Sequence, residues 1–299
     1  MEIPAHFAET TIESKGEPGR LWLAGLPAVI GSCVEQWDLA LDGPVWHGYM
    51  GVALPCHTAD DQAVVLKVSW IDDETRWEPV ALAAWDGRGA VRLLRRDDAR
   101  GAMLLERLDG SKTAGDLEGL EAAVLLGETC RRLAVSAPPG CGLPRVRDRA
   151  ARMLEELPAT WERLGRPFAR PVLDEALATC RDFGPEQPDT LLHGDLIFAN
   201  VLNADREPWL AIDPLGLLGE PAYDAGKFLT NRWADHTAAG DVAASIRRRL
   251  AAFADAAQVE PERARRWSLT RLVADGLWAC EYQVEAMPRV NAVIDALHD

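Results

Sequence analysis

The stretch Leu191-Leu192-His193-Gly194-Asp195-Leu196-Ile197-Phe198-Ala199-Asn200-Val201-Leu202, followed by Trp209-Leu210-Ala211-Ile212-Asp213-Pro214, constrains this chain more than any other. Short apolar runs alternate with turn residues, which predicts short buried strands with the polar residues at their ends or in the loop between. Asp195 and Asn200 stand five positions apart, and the second apolar run ends on Asp213, with Gly216 and Gly219 beyond it. Phosphoryl transfer from a nucleotide needs a carboxylate beside the attacking hydroxyl and oxygen ligands for Mg²⁺ facing the phosphates. Asp195 fits the first role, and Asn200 and Asp213 fit the second.

Size and charge narrow the partners. A chain of 299 residues can bury a large core and form one large domain or two smaller ones. The formal net charge of −15 disfavours nucleic acid and anionic membranes, because phosphate binding needs a basic surface, and it suits a cationic small molecule. No apolar stretch approaches the length of a membrane span, and the acidic N-terminus lacks a signal-peptide pattern, so the cytoplasm is the expected location; a monomer is the separate expectation for its assembly. The six cysteines are scattered without a C-x-x-C pair, which predicts reduced, mostly core thiols and no zinc site.

Along the chain, apolar spacing predicts a first helix over about 20–40. Strands are expected within Pro44–Pro55, paired around a Gly-containing turn, and over Ala63–Trp70. A helix is expected over Asp72–Ala84, with Asp72 or Asp73 as N-cap, and then a hairpin of Ala90–Leu94 with Gly101–Leu108 across Arg96–Arg100. Beyond Asp109-Gly110 the pattern turns helical: Asp116–Ala134, Arg147–Leu164, Pro171–Phe183, Pro221–Trp233, Gly240–Ala257, Pro261–Met287 and a short helix to Leu297. Strands first and helices after, with a small β insert at 190–213, make an α+β chain.

His193-Gly194-Asp195, with Asn200 and then Ile212-Asp213-Pro214, resembles the catalytic loop and metal-binding Asp of protein kinases, and more closely the aminoglycoside phosphotransferases. The longer run from Ala211 through Asp224 is similar to the branch that includes streptomycin 6-phosphotransferases and hydroxyurea phosphotransferases. The resemblance implies a two-lobed kinase-like fold, with residues 1–108 as a β-rich nucleotide-binding lobe and 109–299 as a mainly helical catalytic and acceptor-binding lobe. It also implies ATP, with GTP open, and Mg²⁺ as cofactors, and a hydroxylated small molecule as acceptor.

The same resemblance assigns roles to single residues. Asp195 becomes the catalytic base or the orienter of the acceptor hydroxyl, and Asn200 and Asp213 the magnesium ligands. Lys67, set inside an apolar strand where a lone ammonium is costly, becomes the phosphate-binding lysine, with Glu78 as its partner and Glu74, on the same helix face, as the alternative. Pro79 departs from ordinary mid-helix chemistry at that point. Glu106 to Leu108 would meet the adenine edge through main chain. The Gly-rich-loop signal at Gly48 and Gly51 is weak. His193 is expected to buttress the loop by hydrogen bonds, and Asp224 to cap the following helix and support the loop.

The acceptor side is less defined. Leu215 stands where relatives often carry Lys. Glu220, Asp235, Asp275, Glu281 and Glu285 on the late segments could meet a cationic acceptor, and Trp278 could stack on a sugar ring. The reading that follows is an ATP-dependent O-phosphotransferase acting on an aminoglycoside-type antibiotic. The alternatives are the same chemistry on another antibiotic, nucleoside or metabolite, and a non-catalytic binding protein of the same fold.

Overall fold

The computed structural model describes residues 3–298. The chain divides between Leu108 and Asp109 into two compact units.

The first unit carries α1 (Ala5–Trp37), β1 (Leu39–Leu41), β2 (Trp46–His47), β3 (Gly51–Thr58), β4 (Ala63–Ser69), α2 (Glu78–Trp85), β5 (Leu93–Asp97) and β6 (Ala102–Glu106). Its antiparallel sheet runs β1-β3-β4-β6-β5, with β2 paired to β3. Side chains alternate across a strand, so Val64, Leu66 and Val68 of β4 share one face. They join Leu104 and the α1 residues Leu23, Leu26, Ile30 and Cys33 in one core. Lys67 has the opposite parity and falls on the other face.

Helix α1 starts well before the expected residue 20. Gly16 (φ +62°, ψ −139°) breaks it, and Phe7, 1% exposed, anchors the earlier segment. Helix α2 starts later than the expected Asp72. Asp72 Oδ1 instead accepts the N–H groups of Glu74 and Thr75 at 3.0 Å each, heading a single turn at Thr75–Trp77. Helix α2 proper opens on Glu78, with Pro79 in its first turn, where a missing N–H costs nothing. Strand β5 lies about three residues later than the expected Ala90–Leu94, with a bulge near Leu93, and the turn to β6 ends on Gly101 at φ +65°.

The second unit contains β7 (Asp109–Thr113), α3 (Gly119–Leu133), α4 (Val146–Arg163), α5 (Arg170–Phe183), β8 (Leu191–Leu192), β9 (Val201–Asn203), β10 (Trp209–Ala211), β11 (Leu217–Leu218), α6 (Trp233–Ala238), α7 (Val242–Ala257), α8 (Pro261–Tyr282) and α9 (Met287–His298). Small sheets β10-β9-β7 and β11-β8 are set among the helices. Leu192 and Leu217 of the β8–β11 pair join Val146, Cys180, Tyr223 and Trp267 in a core that ties the pair to α4, α5 and α8.

Two of the expected helices are absent as drawn. Pro221–Trp233 forms two short turns, Pro221–Asp224 and Lys227–Thr230, because Gly226 between them adopts φ +100°. A Cβ there would lie 2.5 Å from the Ser268 side chain, so the chain's close approach to α8 needs glycine. Helix α8 stops at Tyr282 rather than Met287, with Gln283 (φ −148°, ψ 57°) outside helical geometry. Four of the six free cysteines are buried, as expected of core thiols. Among the described residues no helix is long and apolar enough to cross a membrane.

The helical unit also stores an acid sensitivity. His236 on α6 is fully buried, with Nδ1 3.0 Å from Ser245 Oγ and Nε2 3.0 Å from Arg249 Nη1. Burial, and then the Arg249 guanidinium, lower its pKa from 6.5 to about 4. The unfolded chain therefore takes up this proton as pH falls below about 6.5 while the folded chain resists, so stability falls with pH across that window. The histidine should cost about 2 kcal/mol at pH 5 relative to pH 7. Urea unfolding of His236→Gln should be flatter than wild type between those pH values by that amount, and parallel profiles would refute the assignment.

Candidate active site

In the first unit, Lys67 Nζ lies 2.7 Å from both Glu78 carboxylate oxygens. The pair is nearly buried, at 13% and 5% side-chain exposure, so each charge depends on the other. The geometry selects Glu78 over Glu74, because Pro79 starts α2 at Glu78 and leaves Glu74 in the turn before it. Glu106 ends β6 and exchanges bonds with Arg92: its carboxylate accepts from the Arg92 N–H at 2.8 Å, and its own N–H donates to the Arg92 carbonyl at 3.0 Å. That N–H is therefore already spent. Leu108 is the last residue of the unit.

In the second unit the site grows from the β8–β11 pair, which aligns Leu192 with Leu217 and holds the two ends of the loop together. Gly194 turns the chain at φ +82°, and a Cβ there would be 3.0 Å from Leu215 Cβ. His193 is fully buried and its burial lowers its pKa, so the ring is neutral. Its Nε2–H donates to the Ile212 carbonyl at 2.9 Å, and its Nδ1 accepts from Asp195 N–H at 3.2 Å. The ring thus braces the loop against the following strand.

Asp224, 1% exposed, accepts the N–H groups of His193 at 2.9 Å and Gly194 at 2.7 Å, one on each oxygen. It supports the loop as expected. It does not cap a following helix, since the next turn is headed by Gly226 without a side-chain cap. Arg271 of α8 completes the brace, donating to the Tyr223 carbonyl at 2.7 Å and the Gly194 carbonyl at 2.6 Å.

Asp195 and Asn200 meet. The Asn200 amide NH₂ donates to the Asp195 carbonyl at 2.9 Å and to Asp195 Oδ2 at 3.3 Å. Asn200 Oδ1 is then the amide atom suited to a cation. The antiparallel register pairs Val201 with Ala211, and Ile212 N–H donates to the Asn200 carbonyl at 2.9 Å, so Asn200 and Asp213 flank the same end of the β9–β10 hairpin. Asp213 adopts φ +57°, a left-handed conformation that costs a non-glycine residue about 1 kcal/mol and gathers at functional sites. One carboxylate and one amide oxygen at a hairpin end are a donor set that fits Mg²⁺, which takes one or two protein oxygens and completes its shell with phosphate and water.

One charge at this site escaped the sequence reading. Lys227 Nζ donates to Asp195 Oδ1 at 2.7 Å. Burial alone would raise the Asp195 pKa, yet Lys227, with His193 and Arg271, holds the carboxyl below its usual range. Lys227 likewise stays charged: burial works against it, but Asp275 and Asp195 raise its pKa. The signal available was lysine's scarcity and the breaker Gly226 just before it; the expected helix over Pro221–Trp233 concealed both.

The acidic acceptor candidates scatter. Glu220 is buried and accepts from Trp267 Nε1 at 2.6 Å and from Arg263, so it braces the interior. Asp235 pairs with Arg232 and Arg249, and Glu281 with Arg163. Asp275 acts on Lys227 through its charge, raising that pKa, and Glu285 is exposed. Trp278, 41% exposed, stacks on Tyr282 with ring centroids 5.3 Å apart.

A β-rich unit with a buried Lys–Glu pair, joined to a helical unit with an Asp–Asn loop and a hairpin-end Asp, defines a kinase-like phosphotransferase. The chain belongs to the aminoglycoside/hydroxyurea antibiotic resistance kinases, whose family model matches residues 36–282. It is 39% identical over 301 residues to a streptomycin 6-kinase of Streptomyces griseus, covering 99% of this chain and 97% of that one. It is 38% identical over 303 residues to a hydroxyurea phosphotransferase of Kitasatospora aureofaciens, covering 99% and 86%. Among solved structures, the aminoglycoside phosphotransferase APH(4)-Ia shares the fold, with a TM-score of 0.58 at 15% identity over 91% of this chain and 99% of that one. The protein is thus a phosphotransferase with an alcohol group as acceptor, and its kinase relatives imply ATP as donor.

Asp224 generates the second prediction. Asp224→Ala strands two buried N–H groups, which should cost roughly 2–6 kcal/mol at about 1–3 each. Asp224→Asn should retain part of that loss, since its NH₂ faces an N–H. Urea midpoints of the two variants check the order; an Asp224→Ala midpoint equal to wild type would refute the brace.

Proposed function

We propose that this protein transfers the γ-phosphoryl group of ATP to a hydroxyl of an aminoglycoside-type antibiotic, streptomycin first among the candidates. The observation that carries the reading is Asp195 held by Asn200 at one end of the β9–β10 hairpin, with Asp213 at the same end. Near-full-length identity to a streptomycin 6-kinase supports the acceptor, and the net charge of −15 suits a polycation. The same reading makes it a monomer of the cytoplasm, without nucleic-acid or membrane partners.

The acceptor hydroxyl donates to the Asp195 carboxylate, which orients its oxygen for in-line attack on the γ-phosphorus. The bond to the β-phosphate oxygen breaks as the new P–O bond forms, and the hydroxyl proton passes to Asp195. In a loose transition state positioning outweighs deprotonation, so a low Asp195 pKa is no obstacle. Lys67, held by Glu78, would bind nucleotide phosphates, with the Glu106 carbonyl and the Leu108 main chain meeting adenine. Asn200 Oδ1 and the Asp213 carboxylate would hold Mg²⁺, which when bound neutralises charge on the phosphates.

A second reading has its own observation. Leu215 packs on Gly194, beside Asp195, and an apolar side chain there suits a small uncharged acceptor of the hydroxyurea kind.

Nucleotide consumption should be screened across aminoglycosides, hydroxyurea and nucleosides, with product masses determined. Streptomycin is expected to gain one phosphoryl group, with a KM that rises clearly between low and physiological salt, since screening acts over about 8 Å at 0.15 M. An uncharged best acceptor with a salt-independent KM would favour the second reading. Separately, Asp213→Ala should remain folded and lose about 10²-fold or more in kcat, and chelation should silence the wild type. Full turnover by Asp213→Ala would remove that residue from the metal site.

A further inference from the structure

Lysine is scarce in this chain: Lys15, Lys67, Lys112 and Lys227 are the only four among 32 Lys and Arg. Lys227 directly follows the Gly226 turn, which is pressed against Ser268 of α8. Its Nζ holds Asp195 Oδ1 at 2.7 Å, while Asn200 Nδ2 approaches Oδ2 at 3.3 Å. One donor on each oxygen fixes the plane of the carboxylate. A carboxylate offers about four lone-pair positions, so a hydroxyl donor can still be received.

The pair is part-buried, with side-chain exposure of 29% for Lys227 and 26% for Asp195, so it still meets solvent where an acceptor would enter. Asp195 is the carboxylate that the Lys227 ammonium contacts, and the charge of Asp275 adds to its hold on the proton. The Gly226 turn thus sets one scarce ammonium against one carboxylate oxygen.

We propose that Lys227 is a positioning residue for phosphoryl transfer, holding Asp195 Oδ1 so that the carboxylate presents a single orientation to the acceptor hydroxyl. The inference rests on the role given to Asp195 above. Lysine suits the task because its compact ammonium engages one oxygen, whereas a guanidinium fork would engage both and compete with the acceptor.

The test uses the full chain. Lys227→Met should lower kcat about 10²-fold while both KM values stay within about threefold, as expected when orientation rather than binding is lost. Lys227→Arg should recover to within about tenfold of wild type. In an Asp195→Asn background, Lys227→Met should remove no more than about threefold further, because the two act as a unit. A readout independent of turnover is acylation of the Lys227 amine followed by mass spectrometry: Asp195→Asn should speed labelling at least about threefold, with Lys112 as the internal standard. Unchanged kcat in Lys227→Met, full additivity with Asp195→Asn, or unchanged labelling in an active enzyme would overturn this inference alone. A wild-type chain inactive toward every acceptor would overturn the functional reading and this inference with it.

Discussion

The N–H groups of His193 and Gly194 both point at the carboxylate of Asp224, and the shape of the Asp195 loop follows from that contact. Asp224 is 1% exposed, and a buried carboxylate persists only when its oxygens are satisfied. With those two N–H groups engaged, Gly194 is held at positive φ, its carbonyl turns to Arg271, and the next N–H, that of Asp195, reaches the His193 ring. The ring in turn reaches the Ile212 carbonyl, one residue before Asp213. A buried acid therefore sets where the Asp195 carboxylate and the segment ending on Asp213 stand.

The first unit uses the same logic with the signs reversed. Lys67 is an ammonium on the face of β4 away from α1, and the carboxylate of Glu78 meets it across a gap of 2.7 Å. Removing either charge would take away a nearly buried partner at 2.7 Å from the other, a costlier loss than that of an exposed ion pair. In both units the anchoring carboxylate is itself fixed: Glu78 by the start of a helix at Pro79, Asp224 by the turn Pro221–Asp224.

The fold is shared with solved structures at only 15% identity. An apolar core can be rebuilt from many combinations of Leu, Val and Ala so long as volume and pattern are kept. Fold alone thus says little about the acceptor, and the side chains around Asp195 must choose it. Leu215, packed on Gly194, and Lys227, paired with Asp195, stand beside that carboxylate in this chain.

What the sequence by itself determined was whatever is written in periodicity and local spacing. The alternation of β4 put Lys67 inside a strand, the apolar runs around Asp195 and Asp213 marked short strands with polar ends, and the 3.6-residue pattern marked α3, α4, α5 and α7 to within a few residues. Pro79 looked like a flaw in a helix until the structure put it in the first turn. Tertiary structure alone decided the rest. The Pro221–Trp233 segment is broken by Gly226 because α8 lies against it, and Lys227 meets Asp195 across 32 positions of sequence. Glu220 faces Trp267 and Arg263 rather than an acceptor. Periodicity reports which face of an element is apolar, whereas a positive φ or a long-range ion pair depends on the neighbours that packing brings up, and those are not encoded in any local window.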